Sequence, residues 1–204
     1  PKQDTSQREA VQRMVDREAK RAEGKGIGYD RWAAVHNLKQ MAATMSIYEE
    51  SGFSSPEELE AALATASAEL SSVHAELKAV ESTLHEKKDL QKQLLAYIKT
   101  KPARDGLKAQ KTEKARKNYR EQHESEFMIA EAATRYFKAN GITKLPASKT
   151  LQAEIEQLMR EKNTLYNEYR EKREKTKELQ TVKGNIEQIL RRAPERGKGR
   201  DNER

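Results

Sequence analysis

Clustered basic residues are the strongest chemical signal in this sequence. The segment of residues 99–120, KTKPARDGLKAQKTEKARKNYR, holds nine Lys or Arg residues and two acidic ones, a net charge of +7. The whole chain has 40 basic and 33 acidic residues, so the charges outside the segment balance. Closely spaced cations displace the counterions condensed on nucleic acid and bind its phosphates without sequence preference. This basic segment is therefore a candidate nucleic-acid interface.

The candidate DNA-binding residues are the nine cations and one aromatic residue of the basic segment. They are Lys99, Lys101, Arg104, Lys108, Lys111, Lys114, Arg116, Lys117, Tyr119 and Arg120. Tyr119 is included because an aromatic ring among cations can stack on an exposed base. Two other interpretations stay open, namely docking on an acidic protein surface and a solvated face that only keeps the chain in solution.

The remaining polar residues show no catalytic or metal-binding pattern. The four histidines, His36, His74, His85 and His123, lack the spacing of a metal pair, and the chain has no cysteine to join them. The stretch at 24–28, GKGIG, lacks the G-x-x-x-x-G-K-[ST] pattern of a phosphate-binding loop. We therefore expect no enzyme activity, no metal and no cofactor. No apolar run approaches the ~18 residues of a membrane span, so we expect a cytoplasmic chain without a membrane partner.

Long helices must position the basic segment. Charged residues make up 36% of the chain and apolar residues 35%, which is too polar for one large core. The apolar residues nevertheless recur at helical spacing, and this combination is typical of long helices or coiled coils. The sequence predicts an all-α protein.

Two heptad patterns flank the basic segment. The first follows a helix-start signal, Ser55-Pro56-Glu57-Glu58, and continues through Leu59, Leu63, Ala66, Leu70, Val73, Leu77, Val80, Leu84, Leu94 and Ile98. The second runs from Leu151 to Leu190 in the same steps of four and three. These patterns predict two arms, residues 54–101 and 147–192, that fold into an elongated antiparallel hairpin coiled coil.

The apolar pattern also predicts which residues of the two arms lie level. Ile98 would lie opposite Leu151, and Leu59 opposite Leu190. The same alignment sets Lys87 opposite Lys162, which is unfavourable unless both side chains reach outward. A shifted register therefore remains an alternative.

The other segments are predicted from their helix-start and helix-stop signals. Residues 1–53 would form two helices, 8–23 and 29–51, packed at the open end of the coiled coil with Trp32 buried there. Pro102 and Gly106 would end the first arm, and residues 102–146 would form a small basic helical tip. Residues 193–204 are polar, and we expect them to be disordered.

Four stretches resemble the C-terminal region of the relaxases, the mobilisation nucleases of plasmids and integrative conjugative elements from Gram-positive bacteria. These stretches occur in the family's order and are GYDRWAAVHNLKQMAATM at 28–45, YIKTKPARDG at 97–106, GITKLPASKTLQAEIEQL at 141–158 and TVKGNIEQIL at 181–190. The resemblance covers residues 8–192. The nuclease domain of that family, with its histidine-rich metal site and nucleophilic tyrosine, has no counterpart in this chain.

The resemblance implies an accessory, non-nuclease part of a relaxase that acts in plasmid mobilisation. Its implied tasks are to contact DNA, to dimerise, or to dock on the coupling protein and other transfer proteins. DNA contact through the basic tip is the first hypothesis. The alternative is a structural coiled-coil spacer or a protein-interaction arm, such as a homodimerisation arm, without any role in nucleic-acid binding.

Overall fold

The chain is all-α over the part that the structure describes. The computed structural model describes residues 10–192. Within that range it has no strand and seven helices: α1 (Arg17–Ala22), α2 (Ile27–Glu50), α3 (Pro56–Lys99), α4 (Lys101–Ala109), α5 (Glu113–Gln122), α6 (Glu124–Ala139) and α7 (Ser148–Arg192). The predicted all-α class is confirmed. The predicted disordered tail, residues 193–204, lies outside the described residues.

Two glycines in left-handed conformation follow helices α2 and α6. Gly52 and Gly141 both adopt left-handed φ values, 73° and 66°. In each case the next residue folds back on the helix, because the Phe53 amide donates to the Tyr48 carbonyl and the Ile142 amide to the Phe137 carbonyl. Glycine is favoured at both positions since it alone adopts this conformation without a Cβ clash.

The serine cap predicted for the first arm is also present. The backbone amide of Glu58 donates to Ser55 Oγ at 3.3 Å, and the Glu58 carboxylate accepts from the Ser54 amide at 2.6 Å. Serine and glutamate thus satisfy backbone donors on either side of the helix start, in the manner of a capping box. These contacts explain why α3 begins at Pro56.

The helix predicted over residues 8–23 is wrong in its start, because it begins only at Arg17 and residues 10–16 form no regular secondary structure. The first arm ends at Lys99, close to the predicted end at residue 101. Pro102 and Gly106 lie inside the next helix, α4. Proline is tolerated there because it occupies the first turn of α4, where its missing amide has no carbonyl partner to lose.

The described residues divide into two compact units. The first comprises residues 10–74 and 168–192, and the second comprises Ala75–Asn167. Helices α3 and α7 therefore contribute to both units. The core of the first unit contains five buried apolar side chains from these two helices, namely Leu59, Ala66, Leu179, Val182 and Ile186. Ile47, Tyr48 and Phe53 pack against this core from α2 and the turn that follows it.

Residues 10–16, which have no regular secondary structure and which we call the strap, are held in the first unit by two buried asparagines. Asn37 of α2 accepts from the Val15 amide at 2.7 Å and donates to the Val15 carbonyl at 2.8 Å. Asn185 of α7 accepts from the Met14 amide and donates to the Gln12 carbonyl, at 2.8 and 3.0 Å. The two side-chain amides replace the backbone partners that a helix would supply, so the strap need not be helical.

The core of the second unit combines the remaining parts of α3 and α7. Its buried apolar residues are Leu84, Leu94, Leu151 and Ile155, with Leu90 and Leu158 partly buried against them. Fully burying one such side chain contributes about 1.5–3 kcal/mol. The four buried residues belong to the two heptad patterns, so both patterns supply a packed face in this unit, and Leu90 adds to it from outside the first pattern.

The residue-by-residue alignment predicted for α3 and α7 is wrong. Leu190, predicted to lie opposite Leu59, is 51% exposed. Leu59 clusters instead with Val182 and Ile186. A slip of about one heptad leaves apolar residues facing apolar residues, so the apolar pattern cannot select between the two alignments.

Charged side chains distinguish the two alignments in the second unit. Lys87 contacts Glu154 at 2.7 Å, and Lys162 contacts Glu81 at 2.8 Å. The predicted alignment would have set the two lysines against each other. The observed one gives each lysine a carboxylate, which removes a like-charge repulsion from both positions.

Helix α2 turns an unexpected face to the core. Its buried residues are the small or polar Ala33, Asn37 and Thr44. The predicted burial of Trp32 is wrong, because this residue is 54% exposed and stacks on His36 at the helix surface. The strap needs hydrogen-bond partners, and the asparagine-bearing face of α2 supplies them.

Replacing Asn185 with alanine tests whether the strap depends on its side chain. Asn185 is 1% exposed and also donates to Thr44 Oγ1 at 2.9 Å. The substitution removes three hydrogen bonds, one of them to the buried Thr44 hydroxyl, so Asn185→Ala should lower the free energy of unfolding by about 2–3 kcal/mol. Urea denaturation followed by circular dichroism measures this change.

The matched control is Gln180→Ala, since Gln180 is an exposed amide on the same helix. Its effect should stay within about 0.5 kcal/mol. Equal effects of the two substitutions would contradict the role given to Asn185.

Candidate nucleic-acid interface

Three short helices, α4, α5 and α6, carry the basic segment and its support. The joint between α3 and α4 is formed by Tyr97, Thr100 and Arg104. The Arg104 guanidinium lies 3.7 Å from the centre of the Tyr97 ring and donates to the Tyr97 carbonyl at 3.1 Å. Its Nε also donates to Thr100 Oγ1 at 3.2 Å. Arg104 thus stabilises the end of α3 through a cation–π contact and two hydrogen bonds.

Helices α4 and α5 meet at a glycine. Gly106 lies against the Tyr119 side chain, and a Cβ at position 106 would overlap the Tyr119 hydroxyl. The His123 ring lies 4.3 Å from the Tyr119 ring, centre to centre. Tyr119 is consequently part of the packing between the helices, and its ring has neighbours within the protein.

Helix α6 supplies the apolar support of the tip. Its buried residues are Phe127, Ala130, Ala133 and Phe137. The Phe137 ring meets the Tyr97 ring edge to face, with centres 5.7 Å apart. This arrangement is favourable for aromatic pairs and joins α6 to the end of α3.

The three arginines of the basic segment all have partners in the protein. Besides Arg104, Arg116 donates through Nε to the Gln110 carbonyl at 3.0 Å, where α4 ends. Arg120 forms an ion pair with Glu131 and lies 5.5 Å from the centre of the Phe127 ring. The arginines therefore hold the helices of the tip together, a task for which the planar guanidinium is well suited.

Five lysines of the basic segment are exposed and unpaired. Lys108 lies 3.6 Å from Asp105. The other five form no ion pair with any residue of the described range, and we call them the unpaired lysines: Lys99, Lys101, Lys111, Lys114 and Lys117. They occupy the end of α3, the first turn of α4, the α4–α5 connection and α5. Their charges are accessible to a ligand without the loss of an internal contact.

Acidic residues limit the positive charge on one side of α5. Glu113 and Glu121 are exposed on this helix, as are Lys114 and Lys117. The cations on α4 have one exposed acid near them in sequence, Asp105, whereas Lys111 on the α4–α5 connection lies two residues before Glu113. The strongest positive field is therefore expected around Lys99 and Lys101.

Two pKa shifts occur in α6. The pKa of Glu126 is lowered, first by a hydrogen bond from the Ser125 hydroxyl and then by the Glu126 backbone and by His123. Burial raises the pKa of Tyr136, with a further contribution from the charges of Asp89 and Glu86. Both shifts favour the ordinary states at neutral pH, a carboxylate and a neutral phenol. Neither group therefore contributes a pH switch near neutrality to the tip.

The structure brings nine of the ten sequence-predicted residues to exposed or partly exposed positions on α4, α5 and their connection, with Lys99 at the end of α3. Sequence reasoning treated all nine cations alike. It missed the division between arginines with protein partners and lysines without them. A signal was available for Arg104 and Arg120, since each lies seven residues from an aromatic residue, Tyr97 or Phe127, a spacing that favours one helical face.

Residues 10–192 contain neither a candidate metal site nor a candidate membrane span. Within residues 10–192, no three His, Asp or Glu side chains are grouped as metal ligands. No helix there has both the length and the apolar character needed to cross a bilayer. Comparison with known protein families, curated proteins and solved structures finds no match.

Alanine at position 106 tests the contact between α4 and α5. A helical Gly→Ala change ordinarily stabilises a protein by about 0.5–1 kcal/mol. At Gly106 the new methyl group displaces the Tyr119 ring, so Gly106→Ala should instead destabilise by on the order of 1 kcal/mol. Thermal unfolding monitored by circular dichroism gives the sign of the change.

Gly184 in α7 offers the matched control. A Cβ there would lie 3.4 Å from the Arg13 guanidinium carbon, an ordinary contact. Gly184→Ala should therefore stabilise the chain. If Gly106→Ala stabilises it equally, the packing of Tyr119 on Gly106 is refuted.

Proposed function

We propose that the basic tip binds the phosphate backbone of DNA through the unpaired lysines. The observation that carries this proposal is the local excess of unpaired positive charge on a packed helical support. Lysine is a compact point charge that accepts many phosphate geometries. Contacts of this kind position a protein on nucleic acid but do not read base sequence. The proposed binding is therefore independent of sequence.

The contrast with the lysines between α3 and α7 supports this proposal. Lys172 and Lys183 in the first unit contact Glu69 and Glu60 at 3.0 and 2.6 Å. These carboxylates raise the pKa of both lysines, chiefly through a side-chain hydrogen bond. Lysines that lie between α3 and α7 thus have carboxylate partners. Within residues 10–192 the unpaired lysines have none, which leaves their charge for an external polyanion.

The sequence resemblance favours DNA as that polyanion. Under this proposal the chain is an accessory, non-enzymatic domain of a conjugative relaxase, and its tip holds DNA during plasmid mobilisation. The same tip is a candidate docking surface for an acidic transfer protein or coupling protein. DNA is preferred because its phosphates are regularly spaced. The five lysines lie apart along the chain, with only Asp105 and Glu113 as acidic residues between them.

We also propose that α3 and α7 pair as an antiparallel coiled coil within each unit. The order of their contacts supports this arrangement. In the first unit Glu60 contacts Lys183 while Glu69 contacts Lys172, so positions rise along α3 as they fall along α7. Heptad spacing of the buried residues is the other requirement. Leu59, Ala66 and Val73 of α3 and Leu151 and Ile155 of α7 have this spacing, whereas Val182 lies one residue away from it.

Salt-dependent DNA binding tests the proposed function. The variant carries glutamine at all five unpaired lysines, and the probe is a labelled oligonucleotide, single-stranded or duplex. If all five contact phosphates, the log–log slope of duplex affinity against salt should fall by about 4–5, at ~0.9 per phosphate. For wild type this corresponds to on the order of several hundred-fold weaker binding at 200 mM than at 50 mM salt.

The control carries glutamine at five exposed lysines outside the segment, Lys39, Lys78, Lys88, Lys175 and Lys177. It loses the same net charge and should keep the wild-type slope. Equal slopes for all three proteins would refute the proposal. Absence of wild-type binding at low salt would favour the spacer or protein-interaction alternative.

A charge exchange tests the coiled coil of the second unit. Lys87→Glu should lower the melting temperature, because it sets two carboxylates together. Adding Glu154→Lys should restore it. An exposed pair of this kind contributes up to about 1 kcal/mol, so the comparison belongs at low ionic strength. A double variant that is less stable than the single variant would contradict the alignment.

A further inference from the structure

The outer face of α2 is apolar and uncovered in the first unit. Val35 is 57% exposed, Leu38 is 64% exposed and Met45 is 38% exposed. The opposite face of the helix holds the strap and the core through Asn37 and Thr44. The apolar face is therefore not needed to fold the unit. Such contiguous exposed apolar side chains usually mark an interaction surface.

The exposed face has the spacing of a coiled-coil seam. Its outward positions step by four and three along the helix and are Arg31, Val35, Leu38, Ala42, Met45 and Glu49. We call these six residues the α2 seam. The four central residues are apolar, and the two ends are charged with opposite sign. Helix α2 has 24 residues, so the seam is long enough to pair with a second helix.

The two charged ends of the α2 seam have no partner in the described range. Neither Arg31 nor Glu49 forms a side-chain hydrogen bond or ion pair with residues 10–192. The neighbouring Asp30, in contrast, accepts from both Arg17 and Arg21, and their hydrogen bonds lower its pKa strongly. Asp30 is thus paired with the two arginines of α1. Arg31 and Glu49 stay available to an external helix.

We propose that the α2 seam binds the same seam of a second copy of this chain, with the two helices antiparallel. In this arrangement Arg31 lies opposite Glu49 of the second copy, and the reverse pair forms at the other end. Val35 then lies opposite Met45, and Leu38 opposite the small Ala42. The large Leu38 thus packs on the small Ala42, which allows the two helices to approach closely.

The charge pattern selects this occupant and this orientation. Parallel pairing would set Arg31 against Arg31 and Glu49 against Glu49, two repulsions at the seam. An antiparallel pair shifted by one heptad would bring Arg31 opposite Ala42 and leave Glu49 unpaired. The proposed pairing alone joins every charge of the seam to its opposite. It is also two-fold symmetric, as most homodimers are.

This dimer is independent of DNA binding by the tip, since the two proposals use different residues. Sedimentation of the full chain over a concentration series tests it, with Arg31→Glu, Glu49→Arg and the double exchange. Each single reversal creates two like-charge pairs per dimer and should weaken self-association by at least roughly tenfold. The double exchange restores both pairs and should return the dissociation constant to near that of wild type.

The control reversal is Lys78→Glu, an exposed position on α3 that should leave self-association unchanged. Leu38→Glu provides a second disruption, and because Leu38 is exposed, its circular dichroism spectrum should stay that of the wild type. A wild-type chain that remains monomeric at every concentration overturns the proposal. So does a double exchange that associates no better than the single reversals.

Crosslinking decides the orientation. The chain has no cysteine, so Val35→Cys and Met45→Cys introduce unique thiols. A mixture of the two variants should form a covalent dimer with a short bismaleimide reagent, while Val35→Cys alone should not. Crosslinking of Val35→Cys with itself would show a parallel pair and overturn the proposed one. Failure of the mixture to crosslink would overturn it as well.

Discussion

Apolar contact between α3 and α7 is the interaction on which the remaining structure depends. In the first unit it forms around Leu59 and Val182, and in the second around Leu94 and Leu151. The shorter helices have little core of their own and are positioned by contacts with α3 and α7. Helix α2 and the turn after it pack on the first core through Ile47, Tyr48 and Phe53. Helix α6 packs on the end of α3 through the Tyr97–Phe137 ring pair. Burial of a few apolar side chains per unit is the main favourable term, since the exposed ion pairs each contribute little.

The basic tip shows how one kind of charge can serve two purposes. Its arginines lie on aromatic rings or donate to carbonyls at helix ends, and so they keep three short helices together. Its unpaired lysines do neither, and their charge is directed to solvent. A short helix of ten residues, such as α5, is only marginally stable by itself, so the arginine contacts are needed to present the lysines as a surface. Loss of Arg104 would therefore affect the fold, whereas loss of Lys111 would affect the surface potential alone.

Helix α2 likewise has two faces with different roles: a polar face that holds the strap and an apolar face that is exposed. An amphipathic helix ordinarily buries its apolar face, but here the polar face holds the strap through Asn37 and contacts Asn185 through Thr44. Hydrogen bonding of the strap's backbone groups decides which face of α2 turns inward, because burying an unsatisfied polar group costs free energy. The apolar face is left outward as a consequence. The same constraint thus explains both the wrong prediction for Trp32 and the surface from which a second copy of the chain is proposed to bind.

The sequence by itself determined the helices that have strong local signals. Ser55, Gly52 and Gly141 mark ends correctly because capping and left-handed turns depend on a few neighbouring residues. It also located the local charge excess, which is a property of composition. Tertiary structure decided the alignment of α3 with α7, since a heptad pattern matches itself after a shift of one heptad and only cross-helix pairs such as Lys87–Glu154 distinguish the two. It likewise decided which face of α2 is buried and which cations of the tip are unpaired. Those outcomes depend on partners distant in sequence, such as Asn185 for the strap, and no local pattern contains them.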